Sequence, residues 1–213
     1  MCFGRGALLS FLGIAAVVTV PLFGSAAALA QTEQQRNWCM GKDGASPDQR
    51  ISACTALIES KQGSSQQLAI TFKTRGTVYF YKRDYDRAIQ DYSQAIKLDP
   101  RYSEAFDNRC WTRATINQLQ DAVKDCIESL RIRPNFAPTT DTLGFVYLKL
   151  GRFDLAISTY DAALKLDPKS PYSLYGRGVA KLKTGDTAGG QADIAAAKAI
   201  KDVAAEMAGY GVK

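Results

Sequence analysis

From residue 69 onward, apolar and polar positions alternate with helical spacing, and the same small set of residues returns at a fixed interval. Gly76, Tyr79, Ala88, Tyr92, Ala95 and Pro100 come back as Gly144, Tyr147, Ala156, Tyr160, Ala163 and Pro168, with Phe72 and Leu143 ahead of the two glycines. Three prolines, Pro100, Pro134 and Pro168, are spaced by 34 residues each time. Proline lacks the amide and disfavours helix in the residue before it, so each marks the end of a helical unit. A helical period of this length is the mark of stacked helix pairs that build one continuous core and one extended surface. The pattern predicts an all-α solenoid of four units: 69–102, 103–136, 137–170 and 171–202.

Within a unit the two helices are joined by short turns such as Lys82-Arg83-Asp84 and Lys149-Leu150-Gly151-Arg152. The residues at these spacings resemble the tetratricopeptide repeat, whose pattern runs aromatic, Gly, Tyr, Ala, aromatic, Ala, Pro. The resemblance covers residues 69 to about 202, and it implies a right-handed superhelical stack of about four helix pairs. The layout is also similar to that of small exported bacterial members of the family.

Folding each hairpin about its turn sets the eighth position against the twenty-fourth. Gly76 then meets Tyr92 and Gly144 meets Tyr160, so a missing side chain opposite a ring lets the helices approach closely. In the second unit the same two places hold Cys110 and Cys126, which are therefore expected to form a disulfide. The fourth unit keeps Gly178 but has Lys181, Gly190 and Ile194 where Tyr, Ala and an aromatic residue belong. Such an atypical terminal unit is what a solenoid needs at its end.

The segment 31–67 is expected to be a polar, irregular arm followed by a capping helix. Ser46-Pro47-Asp48-Gln49 reads as a capping box, with Ile51, Cys54, Leu57 and Ile58 along one face. With Cys110 and Cys126 paired, Cys39 and Cys54 remain to bridge arm and helix. Residues 203–213 are expected to continue as a helical segment capping the C-terminal end.

The first thirty residues carry a short basic start with Arg5 as the only charge, an apolar run from Ala7 to Phe23 and the small-x-small end Ala28-Leu29-Ala30. They read as a signal peptide, 1–30, cut before Gln31, which places the mature chain in the periplasm or outside the cell. An uncleaved anchor over Leu8–Ala30 is the alternative. No other segment is apolar enough to span a membrane. Loss of the signal removes Cys2 and leaves an even number of cysteines, as suits an oxidising compartment.

The net charge of +6 falls to +5 without Arg5, and acidic and basic residues are interleaved as on solvated helix faces. No Lys/Arg run suits nucleic acid. The chain has no histidine, which removes Ser-His-Asp and Cys-His catalysis, His-Glu-x-x-His zinc sites and most transition-metal sites. Gly176-Arg-Gly178 lacks the third glycine of a dinucleotide fingerprint, and Gly185–Gly190 lacks the phosphate-binding lysine. The nearby carboxylates Asp86 and Asp91, Asp121 and Asp125, and Glu104 and Asp107 read as solvated. No enzyme activity, cofactor or metal is expected.

The family resemblance implies that the first helices line an inner, concave face that binds a peptide segment or helix of another protein. Its positions carry over here to Lys73, Thr77 and Phe80, to Asn108 and Trp111, to Asp141 and Phe145, and to Tyr172 and Tyr175. Some family members clamp the carboxylate tail of cytosolic chaperones with Lys and Asn side chains. Lys73 and Asn108 fit two of those places, but Thr77, Pro138 and Thr142 depart from the rest. The expected function is a scaffold or adaptor of the bacterial envelope. A stabilising subunit of a larger complex and an enzyme acting on envelope polymers are the alternatives.

Overall fold

The computed structural model describes residues 32–61 and 63–212, and the signal-peptide reading of 1–30 lies outside them. Residues 32–39 are helical (α1), a departure from the irregular arm expected there. Cys39 at the end of α1 and Cys54 on α2 (Pro47–Glu59) are fully buried with Cα atoms 4.8 Å apart. This junction gives the polar arm the apolar contact that a free helix of that composition lacks, with Trp38 and Leu57 packed around it. Ser46 and Gln49 cap α2 reciprocally: the Gln49 amide donates to the Ser46 hydroxyl and the Ser46 amide to the Gln49 side chain. Ser64 and Gln67 repeat the device at the start of α3 (Ser65–Tyr81).

Four hairpins follow. They are α3 with α4 (Tyr85–Leu98), α5 (Ser103–Thr115) with α6 (Leu119–Ile132), α7 (Ala137–Lys149) with α8 (Phe153–Leu166), and α9 (Pro171–Lys183) with α10 (Thr187–Ile200). The described residues contain no strand. Each hairpin turns through one left-handed residue at the same place in the period: Arg83, Asn117, Gly151 and Gly185, with φ between 61° and 90°. The second helices of the first three units end at Asp99, Arg133 and Asp167, whose extended backbones are what a following proline imposes.

Every helix from α2 to α10 packs on its neighbour in sequence, and α3, α5, α7 and α9 also pack on one another in series. The second helices α4, α6, α8 and α10 do not do so to the same extent. The first helices therefore lie on the tighter side of the curve, and they form its inner face. α2 packs on α3 and closes the N-terminal end.

Inside the hairpins the small-against-large rule holds. A Cβ on Gly144 would lie 2.9 Å from the Tyr160 ring, and one on Gly76 2.9 Å from Tyr92. At the same place in the second unit Cys110 and Cys126 are both fully buried and form a close pair, with Cα atoms 5.4 Å apart. The fourth unit adapts without an aromatic. Gly178 and Gly190 bring the two backbones within reach of each other, and Ile194 fills the space opposite Gly178.

Asp91 and Asp125 are not solvated as expected: they are buried, each held by an arginine sixteen residues earlier. Arg75 donates twice to Asp91 at 2.8 Å, Arg109 to Asp125 at 2.9 and 2.7 Å, and Arg177 to Asp193 at 2.7 Å. The remaining nitrogen of each guanidinium reaches the preceding layer, at Thr55, Ser93 and Asp161 respectively. One arginine thus ties its own hairpin and its neighbour together through a planar fork. The third unit lacks both partners, with Leu143 and Thr159 in their places.

Candidate functional site

The inner face is not uniform along the stack. At its N-terminal end the expected groove residues are occupied with one another. Lys73 pairs with Glu104 at 3.2 Å, and the Asn108 amide and the Tyr92 hydroxyl both donate to the Thr77 hydroxyl at 3.4 Å. Phe80 packs against Tyr81 and Tyr85 at centroid distances of 5.6 Å. Tyr175 packs into the small cluster of Leu164, Leu174 and Ala197 between the third and fourth units.

Trp111, Asp141, Phe145 and Tyr172 come together around a cavity of about 350 Å³ in the middle and C-terminal part of the inner face. Their rings arise from successive first helices, because the 34-residue period returns the same face of α5, α7 and α9 to the same side. Trp111 lies 5.4 Å from Phe145, ring centroid to ring centroid. Asp141 accepts a hydrogen bond from the Ser173 hydroxyl, as Asp107 does from Thr139 at 2.6 Å one repeat earlier. These carboxylate–hydroxyl pairs link consecutive repeats along the inner face.

Burial with no cation beside it pushes the Asp141 carboxyl up to about 6, and the charge of Asp167 adds to the rise. Its folded value lies above the ordinary one near 3.8, so protonation favours the fold. The associated stability is fully present below about pH 4 and is lost as the pH rises through about 6. Asp141→Asn keeps an acceptor for Ser173 and removes the charge. The variant is expected to be more stable than the parent at pH 7.5 by about 1–2 kcal/mol. The difference should shrink on acidification to pH 5, as read by thermal melting of both proteins across that range.

The remaining wall of the cavity comes from the C-terminal segment, which does not cap the stack as expected. The chain leaves α10 in an extended conformation at Lys201 and turns back, so that α11 (Ala204–Gly209) lies on the inner face. Tyr210 sets its ring 5.2 Å from Trp111 and 6.2 Å from Phe145, and Met207 is buried with them. The Tyr172 hydroxyl donates to Glu206 at 2.9 Å and accepts from Lys201 at 2.8 Å. A cap on α10 would have left the rings of Trp111 and Phe145 in water. Turning back covers them, with Phe145 only 2% exposed. Sequence reasoning missed Glu206, Met207 and Tyr210 as parts of this site. The i, i+4, i+7 spacing of Val203, Met207 and Tyr210 was the available signal for an apolar face.

Family models describe two stretches of the chain: the tetratricopeptide repeat model matches residues 69–102 and the TPR repeat model residues 144–185. The chain carries tetratricopeptide repeats. Such repeats mediate protein–protein interaction, and here they form a helical solenoid. Among curated proteins, the chain is similar to the protein STIP1 homolog of Dictyostelium discoideum, 31% identical over 48% of this chain and 18% of that one. It is also similar to the human DnaJ homolog subfamily C member 7, 31% identical over 54% of this chain and 23% of that one. The chain thus spans about a fifth of the length of these relatives.

Among solved structures, MamA 41-end from Desulfovibrio magneticus RS-1 superposes with a TM-score of 0.71 at 16% identity, covering 82% of this chain and 97% of that one. The first TPR of Spaghetti (RPAP3), bound to an HSP90 peptide, superposes with a TM-score of 0.56 at 20% identity, covering 57% and 97%. These likenesses concern the fold. Among the described residues, no helix of this repeat protein is long and apolar enough to cross a membrane.

Proposed function

We propose that this repeat protein is a non-enzymatic adaptor of the bacterial cell envelope that binds a segment of another protein on the inner face of its solenoid. The observation that carries this reading is the row of rings from Trp111 to Tyr172, gathered around one cavity with the Asp141 carboxyl at its side. Aromatic surface with polar groups at its edge dominates interface energetics, because rings offer large contact area for little side-chain entropy. A similar repeat domain, that of RPAP3, holds an HSP90 peptide. A chaperone-tail clamp is a poor fit for this chain, since Lys73 is already paired with Glu104 and Asn108 with Thr77.

Export is supported by the Ala28-Leu29-Ala30 end of the apolar N-terminal run and by four buried cysteines that form two close pairs. In an oxidising envelope both pairs form disulfides that restrain the unfolded chain by about 3 kcal/mol each in the loop-entropy account.

A photo-crosslinking amino acid placed in the living cell tests the reading. At Phe80, Glu104 or Tyr172 on the inner face it is expected to yield a discrete protein adduct in the envelope fraction, on a chain whose mature N-terminus is Gln31. At Ile127 or Leu155, which are exposed on second helices, it should not. Adducts confined to the second helices, or a full-length chain held in the membrane, would overturn the adaptor and the export readings respectively.

A further inference from the structure

We propose that residues 203–212 are a tethered ligand of the inner-face groove, and that the partner is a short amphipathic helix that takes their place. The inference rests on the inner face being the binding surface. Val203, Met207 and Val212 are each less than 5% exposed, and Tyr210 meets Trp111 and Phe145 edge to face. An apolar stripe of this kind laid along a groove is the helix-in-groove mode of peptide recognition. The segment's only acidic side chain inside the helix, Glu206, meets the hydroxyl of Tyr172, and Lys201 closes over both.

Two features mark the segment as replaceable. α11 has six residues, too few to hold a helix without the groove, and it follows an extended link at Lys201. It is expected to open locally, well below the free energy of unfolding the stack. It also fills the groove incompletely. The 350 Å³ cavity remains between Met207 and Tyr210 on one side and Pro138, Asp141 and Ser173 on the other. A longer helix with the same spacing would cover the rings and the cavity together. Its chemistry is read from the resident segment: apolar residues at i, i+4 and i+7, an aromatic at the last, and a carboxylate just before the second. Tethering gives the resident segment an effective concentration in the millimolar range, so the partner must outbind a weak intramolecular competitor.

The probe is a fluorescein-labelled synthetic peptide of residues 201–213, followed by anisotropy against the full mature chain and against its Met207→Asp/Tyr210→Ser variant. The peptide is expected to bind the variant at least tenfold more tightly than the parent. Equal affinity for both, or no binding to the variant, would overturn the proposal. Should the variant lose its helicity, hydrogen exchange on the unaltered protein decides. The amides of Met207 and Val212 are expected to exchange at least a hundredfold faster than those of α5 and α7, and equal protection contradicts the proposal. A partner crosslinked to Phe80 or Glu104 with no peptide competition would leave the adaptor reading standing without the tethered ligand. Peptide competition with crosslinks on the second helices alone would do the reverse.

Discussion

Arg75→Ala is expected to lower stability by about 3–5 kcal/mol, the usual cost of removing one partner from a buried ion pair. Asp91 is 4% exposed and receives both of its short hydrogen bonds from the Arg75 guanidinium. Without that fork the buried carboxyl loses both hydrogen bonds and the cation they come from. The substitution also cuts the link to Thr55, and so loosens the capping helix α2. The third repeat supplies the control, because it builds the same hairpin with Leu143 and Thr159. The double variant Arg75→Leu/Asp91→Thr should therefore recover most of the loss, since an apolar replacement of a buried pair is often neutral. Urea denaturation of the single and double variants measures both. A single variant that loses less than about 1 kcal/mol would mean that the pair does not hold the hairpin.

Gly176→Ala is expected to destabilise the stack by about 2–3 kcal/mol, although alanine favours a helix over glycine by about 1 kcal/mol. A Cβ at this position would lie 2.3 Å from both the Cζ and the hydroxyl oxygen of Tyr160. That ring has little room to retreat, because it lies against Gly144 of its own hairpin, where even a Cβ would come within 2.9 Å of it, and the residue is 1% exposed. The Tyr160 hydroxyl is buried without a hydrogen-bond partner. Removing it by Tyr160→Phe should cost little in the parent and should restore part of the loss in the Gly176→Ala background. Melting of the four proteins gives the comparison. A rise in melting temperature for Gly176→Ala alone would show that the third and fourth repeats do not meet through this ring.

Much of this architecture could be read from the sequence because the hairpin is a local object. The 34-residue period, the Gly144–Tyr160 facing and the places of Cys110 and Cys126 all follow from folding one turn. What escaped depends on how one hairpin sits on the next. Gly176 touches a ring of the preceding repeat, and no pattern within one unit announces that. The Arg75, Arg109 and Arg177 series was in principle visible, since it recurs in phase and vanishes together with its aspartates in the third unit. Reading charge as solvent-facing hid it.

The candidate site was legible in the same uneven way. Trp111, Asp141, Phe145 and Tyr172 were named from repeat positions and do share one cavity. Lys73, Thr77 and Asn108 were named by the same rule but spend their polar atoms on neighbouring repeats. The return of α11 was missed because a six-residue helix carries too little periodicity to show which way the chain turns.

Hydroxyl-radical footprinting of the chain alone and with its captured partner tests the central claim that the inner face is the binding surface. The account predicts that oxidation of Phe80 falls severalfold on binding and that of Met207, buried in the free chain, rises as the partner takes its place, while Tyr81, Ile127 and Leu155 remain as reactive as before. Protection of Ile127 and Leu155 with Phe80 and Met207 unchanged would contradict it.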